Sequence, residues 1–295
     1  MIKAIIECVC SGVMMGGVYS LVAIGIVTIY KSTKIINFTQ GGLLLMGAII
    51  GWILMGPAHL PVWIAIPATL LACALLGYIL DRLTLRPIIG QPILASIMVT
   101  IALAWFFDSV GTLIIGGGER PYPPLLPGGT YRLGWIAISQ SLFLQFIIAL
   151  GMFVAFTLFY RYSFLGLAMR GTAEDHEVVQ SLGVRVTKVF TYSWVIAGLS
   201  GGVSGILLAS TLGATVGLSG IGLKALTVVL IGGMESIPGV IIMGPVIGTL
   251  ENLSIRFLDP LVGGGLGEVV PYVVLLIVLL IKPYGLFGLK RIERI

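Results

Sequence analysis

The chain predicts an all-α fold, a polytopic integral membrane helical bundle with broken helices and an internal repeat. Three observations carry that prediction. Of 295 residues, 58% are hydrophobic and only 10% are charged, against roughly a quarter charged in ordinary soluble domains. Apolar stretches repeatedly reach the ~20 residues a helix needs to cross a bilayer, and the strict alternation of a membrane barrel is missing. Glycines, 41 in all, recur at four- or five-residue intervals inside those stretches, a spacing that lets helix backbones approach closely in lipid.

Roughly eight to ten membrane segments are expected within a single transmembrane domain spanning 1–295. The first covers 4–30, and Lys31 and Lys34 mark its end as cytoplasmic, with the amino terminus outside. It reads as a retained span rather than a removed leader, because no small-residue cleavage site precedes a soluble region. A second run ends near Pro57. The third, 62–80, ends in a basic turn at Asp81, Arg82 and Arg86, and the fourth is 93–115. Asp108 within it is either a functional group in a span or a rim residue, and its position near the end favours the rim. The external loop 116–134 holds Pro121, Pro123, Pro124 and Pro127, and either meets a soluble partner or simply connects. Further spans are expected at 137–160, 189–210 and 269–281, with a Gly-rich connection at 211–222 and a basic tail at Lys290, Arg291 and Arg294.

The one long polar interruption is 161–188, where Arg161, Arg170, Arg185 and Lys188 place the loop in the cytoplasm. Within it 172–182 predicts a short helix, opened by Thr172 and Asp175 in a capping-box-like pair, with Glu174 and Glu177 in its first turns and Gly183 as its stop. Ala173, Val178, Val179 and Leu182 form an apolar stripe. Such a helix offers a docking knob to a soluble partner; the plainer reading is a basic loop that only sets orientation.

Two polar breaks fall between apolar runs. The first holds Asn37, Phe38, Gln40 and Gly41, the second Gly232, Gly233, Glu235, Pro238 and Gly239. Backbone of this kind must be buried in protein or line a water-filled cavity, so each break is a candidate for a solute path, or else a tight turn at the membrane surface. Residues 239–248 can be laid against 42–51 with three glycines and a methionine in register. That points to an internal repeat, with broken helices in corresponding places, or to chance recurrence in so apolar a chain.

The spacing Glu177-Val-Val-x-x-x-Gly183 and the pattern Gly166, Arg170, Glu174, Asp175 resemble the coupling motif of the branched-chain amino acid ABC transporter permease family, LivH type. Val178 and Val179 replace its two alanines. Asn37-Phe38-x-Gln40-Gly41 is similar to that family's N-F-x-[HQ]-G, with Gly42 where the family commonly has an acid. The Gly232–Gly239 break is similar to G-G-x-G-S-x-P-G, with Glu235 in place of the middle glycine, and Lys282-Pro283-x-Gly285-Leu286-Phe287-Gly288 to its terminal motif. The resemblance runs from about Gly16 to Gly288.

It implies coupling to an ATPase through Arg170, Glu174, Asp175, Glu177 and Gly183, and a translocation path beside Asn37, Phe38, Gln40, Gly41, Gly232, Gly233, Glu235, Pro238 and Gly239. It also implies a LivM-like sister permease, two ABC ATPase subunits that bind ATP and Mg, a periplasmic solute-binding protein, and a bacterial inner (plasma) membrane location. Branched-chain amino acids, or a related small polar or carboxylate solute, are the implied cargo.

The residues also exclude some functions. No Gly-Lys dipeptide occurs, so the chain lacks a phosphate loop of its own and no cofactor is expected in it. Cys8, Cys10 and Cys73 lack metal or disulfide spacing, and with only His59 and His176 no catalytic constellation emerges. The 17 Lys and Arg against 12 Asp and Glu cluster at segment ends, where orientation and lipid contact account for them without nucleic acid. An ion-coupled secondary transporter or channel is the alternative, with Glu7, Asp108, Lys224 and Glu251 as its most plausible ionisable groups.

Overall fold

A computed structural model describes residues 1–88, 91–133 and 136–288. The side chains of Leu133, His176 and Glu177, the end of the external loop at Gly134 and the basic tail lie outside the described residues. The helices are α1 (Ile2–Thr33), α2 (Gln40–Met55), α3 (Val62–Leu80), α4 (Ile93–Ile115), α5 (Gln140–Tyr162), α6 (Phe164–Glu174), α7 (His176–Ser181), α8 (Val186–Leu212), α9 (Ile221–Gly232), α10 (Ile237–Phe257), α11 (Asp259–Val262) and α12 (Leu266–Ile281). Strands β1 (Thr130–Leu133) and β2 (Ile136–Ser139) form an antiparallel hairpin before α5. Among the described residues six helices are long and apolar enough to cross a membrane, and three shorter apolar ones accompany them. The chain is a multi-pass membrane protein.

The spans at 62–80 and 93–115 are found as expected. The fifth starts three residues later than expected, because Ala137 is held in β2, where its N–H donates to Glu7 Oε1 at 3.0 Å. The loop helix differs more. Thr172 lies inside α6, with its hydroxyl donating to the Ala168 carbonyl at 2.8 Å; a hydroxyl bonded back into its own helix cannot cap a new one. The break falls at Asp175, which is extended and accepts from the Val178 N–H at 3.1 Å, so that it caps α7. Gly183 does end the helix: its φ is +83°, and the Val184 N–H returns to the Val179 carbonyl at 3.2 Å, a Schellman-type stop.

Burial follows the rule of a membrane bundle. On α3 the buried positions run Ala65, Thr69, Cys73 and Gly77, one small residue per turn, with Leu80 buried at the end, while Leu71, Leu75 and Ile79 are exposed. Lipid solvates the large side chains, and the small ones let helices close on one another.

The chain divides into two compact units. Unit 1 comprises Met1–Ala23, Leu126–Leu150 and Lys224–Ile295; unit 2 comprises Ile24–Leu125 and Gly151–Leu223. In unit 1, α1 and α10 pack antiparallel through small residues: a Cβ at Gly12 would strike the Thr249 backbone, one at Gly16 the Gly244 carbonyl, and the Ser20 hydroxyl donates to the Val240 carbonyl at 2.9 Å. In unit 2, α8 is packed on both sides, Gly198 and Gly202 meeting Cys73 of α3, and Gly201 and Gly205 meeting Leu43 and Leu44 of α2. Runs 42–51 and 239–248 each open a helix after a break, but their glycines meet different neighbours: Gly47 faces Gly202, and Gly244 faces Gly16 and Ser20.

Candidate functional site

The polar loop of unit 2 is anchored at one end and displayed at the other. Ser163 caps α6 by accepting from the Gly166 N–H at 2.8 Å. A Cβ on Gly166 would strike the carbonyls of Phe159 and Tyr160, so glycine is what lets α6 fold back against the end of α5. Arg170 then donates to the Tyr160 carbonyl and lies over the Tyr160 ring, 5.7 Å from its centroid; Lys31 approaches the same ring at 4.9 Å. Of the coupling residues inferred from sequence, Arg170 is therefore committed to its own chain, as is Gly166 of the same motif.

The outward part carries both acids and apolar side chains. Glu174 and Asp175 are exposed, and so are Phe164 (76%), Leu167 (57%), Val178 (55%) and Leu182 (76%). The expected stripe is thus split, with Val179 buried at 7%. Glu177 falls in α7, with its side chain outside the described residues. A cleft of about 430 Å³ runs beside this surface, lined by Phe164, Leu182, Arg185, Lys188 and Tyr192 among others.

The first break is closed by side chains. Asn37 accepts from the Thr39 N–H at 2.9 Å and donates to Gln40 Oε1 at 3.4 Å. Gln40 Nε2 donates to the Ala197 carbonyl at 3.1 Å and to the Ser200 hydroxyl at 3.2 Å. It sits where a Cβ on Gly25 would be, and Gly41 closes on Ser219 and Gly222. Asn37 and Gln40 are each 1% exposed, whereas Phe38 is half-buried. Phe107 fills the space beside Gly42, which explains why no larger side chain stands there.

The second break is closed by backbone. Gly233 has φ +101°, Ser236 caps α10 by accepting from the Gly239 N–H at 3.1 Å, and Gly232 lies directly against Gly239. The segment after α12 seals it: the Leu286 N–H donates to the Ile231 carbonyl at 2.8 Å and the Phe287 N–H to Gly232 at 3.3 Å. Sequence reasoning singled out both motifs but not that they dock on each other. Glu235 is half-buried in the turn and Pro238 is exposed at the start of α10. Glu235 lies outside the left-handed region, so the turn accepts a side chain there.

Unit 1 also holds a buried ion pair, Lys224 Nζ to Glu251 Oε1 at 2.6 Å. Asp108 is half-buried about two turns before the end of α4.

The profile of the family described as "Branched-chain amino acid transport system / permease component" matches residues 9–279. The chain belongs to that family. Among its relatives, the high-affinity branched-chain amino acid transport system permease protein BraD of Pseudomonas aeruginosa is 29% identical, covering 97% of this chain and 96% of the relative. The corresponding LivH of Escherichia coli K12 is 28% identical over the same shares. Among solved structures, a chain of PsaBC from Streptococcus pneumoniae in complex with Fab superposes with a TM-score of 0.51 at 15% identity, covering 96% of this chain and 91% of that one. The family's permease fold therefore accounts for nearly the whole chain, both breaks and the polar loop included.

Proposed function

We propose that the chain is one membrane subunit of an ABC importer in the bacterial inner membrane, carrying branched-chain amino acids or a related small polar or carboxylate solute. A LivM-like sister permease pairs with it, two ABC ATPase subunits bind and hydrolyse ATP with Mg, and a periplasmic solute-binding protein delivers the cargo. BraD and LivH, similar over almost their full length and named as branched-chain amino acid permeases, support the cargo class. The observation that carries the importer reading is the α6–α7 surface, where exposed Glu174 and Asp175 stand beside exposed Phe164, Leu167, Val178 and Leu182. A membrane subunit gains nothing by showing such apolar area to water, so the surface is built to be covered.

Mechanistically, closure of the ATPases would move α6–α7 as a piece. Arg170 and Gly166 tie that piece to the end of α5, and Gly183 releases the chain directly into α8. Motion at the loop thereby reaches α8, whose Ala197 and Ser200 hold Gln40 at the first break. Each break is a part of an internal repeat at which a solute path opens when contacts that differ between the two states are exchanged.

The test is co-purification of the chain with its candidate sister and ATPase subunits, wild type against a Glu174→Ala, Asp175→Ala, Glu177→Ala triple variant. Wild type should retain the ATPases, and the folded variant should lose them. If neither retains an ATPase although all are present and folded, the chain is an ion-coupled carrier or channel and the importer reading falls.

A further inference from the structure

The Lys224–Glu251 pair lies in unit 1, where α9 and α10 flank the second break. Lys224 stands about 12 Å along α9 from Gly232, at 1.5 Å per residue. The pair joins those two helices at 2.6 Å, with Glu251 8% and Lys224 17% exposed. Tyr19 of α1 and Tyr272 of α12 both stand in the field of the Glu251 carboxylate. Charged groups are costly inside a membrane bundle and are retained there mostly at sites of passage or binding.

The pair is also incomplete. An ammonium has three donors and a carboxylate two accepting oxygens, and one contact joins the two side chains. Glu251 Oε2 is buried and makes no hydrogen bond of full geometry among the described residues, although the Tyr19 hydroxyl lies close enough to the carboxylate for a looser one. The contact with Glu251 uses one of the three Lys224 donors. A pair kept only to pin two helices would be expected to satisfy its remaining groups, because an unmet buried oxygen is destabilising. An under-satisfied carboxylate oxygen beside an ammonium is the complement of a molecule that carries an ammonium and a carboxylate on neighbouring atoms.

We propose that Lys224 and Glu251 form a recognition site for the zwitterionic head of an α-amino acid, Glu251 Oε2 accepting from the ammonium and the remaining N–H groups of Lys224 donating to the carboxylate. The proposal rests on the reading of the chain as an amino acid permease, and adds to it the chemical basis of selection within the membrane. The aliphatic side chain of the cargo plays no part in it.

The test is equilibrium binding of radiolabelled leucine to the full chain in its assembled complex without the binding protein, with isocaproate (no ammonium) and isoamylamine (no carboxylate) as competitors. Wild type should prefer leucine to either analogue by at least ~10-fold, the discrimination expected when a polar site is left unpaired by the wrong ligand. Glu251→Gln should abolish the preference over isocaproate, and Lys224→Met the preference over isoamylamine. Since each single variant strands a buried partner, the double variant Lys224→Met, Glu251→Leu is the safeguard: it leaves no unpaired charge, should assemble normally, and should bind leucine at least ~10-fold more weakly than wild type. Full leucine binding by the assembled double variant, or unchanged discrimination in folded single variants, would show that the pair only joins α9 to α10. A wild-type complex that transports leucine but shows no such preference overturns the site alone. One that retains its ATPases yet neither binds nor transports any amino acid overturns the site together with the cargo class.

Discussion

The two breaks solve the same physical problem in opposite ways. Where a helix is interrupted in a membrane protein, N–H and C=O groups lose their intrahelical partners and lipid offers none. At 34–39 the replacements are side chains: Asn37, Thr39 and Gln40 bond to one another, to Thr100 and to α8. At 231–236 they are mostly main chain, Leu286 and Phe287 donating to the carbonyls of Ile231 and Gly232, a contact made possible by glycines on both sides. The first solution should tolerate changes of backbone freedom and fail when a polar group is removed. The second should fail when a Cβ is added.

The largest effect is therefore expected at Gly233. Alanine there must adopt φ +101° and place its Cβ 2.7 Å from the Gly288 nitrogen. Strain and overpacking together should cost about 2–4 kcal/mol, measured as a lower thermal unfolding midpoint in detergent. Gly220→Ala is the internal control, because a Cβ there meets nothing within 4 Å, and it should leave the midpoint nearly unchanged. Equal losses from both substitutions would mean that glycine content rather than close approach decides this region.

A smaller effect is expected at Gln40. Leucine keeps much of the volume but leaves the Asn37 amide without its acceptor and takes away the donor to the Ser200 hydroxyl, which still donates to the Ala197 carbonyl at 3.0 Å. The loss should be about 1–2 kcal/mol, in the range of interhelical hydrogen bonds within bilayers. Gln40→Glu tests the same site by charge: the amide donor to Ala197 disappears, and a carboxylate oxygen would face a carbonyl. It should be no more stable than the leucine variant.

Much of this was legible before any coordinates, and the reasons are physical. The span limits at Val62–Leu80 and Ile93–Ile115 could be read because apolar runs of bilayer length are bounded by proline, glycine or charge. Both breaks could be read because polar residues interrupt such runs. What escaped the sequence was long-range partnership. Nothing local tells that Lys282–Gly288 closes on Gly232 and Gly233, that Arg170 turns back onto Tyr160, or that Gln40 reaches Ala197 across 157 positions. Glycines at 285 and 288 gave a partial hint, since a glycine pair in a terminal segment marks a place where backbone meets backbone. The pairing of Lys224 with Glu251 left a fainter signal, opposite charges on helices flanking one break. The loop helix was misplaced because Thr172 and Asp175 satisfy a capping pattern on paper, and only the buried environment of Thr172 shows that its hydroxyl is already used within α6.

The finest distinction lies in the hydroxyls that precede α2 and α10. Ser236 bonds locally, to the Gly239 N–H three residues on, whereas the Thr39 side chain does not cap its own helix and donates instead to the Thr100 carbonyl at 3.0 Å, 61 positions away. Ser236→Ala should cost about 1 kcal/mol, the usual price of a lost N-cap, and Ser236→Asp should recover it, because aspartate accepts the same N–H and favours a helix N-terminus. Thr39→Val should cost a similar amount, and here aspartate should fail as a rescue while serine succeeds, since the Thr100 carbonyl needs a donor. Unfolding midpoints of the variants Ser236→Ala, Ser236→Asp, Thr39→Val, Thr39→Asp and Thr39→Ser check this directly. If aspartate rescues both positions, the two hydroxyls do the same job, and the contrast between a break closed over distance and a break capped on the spot does not hold at this level.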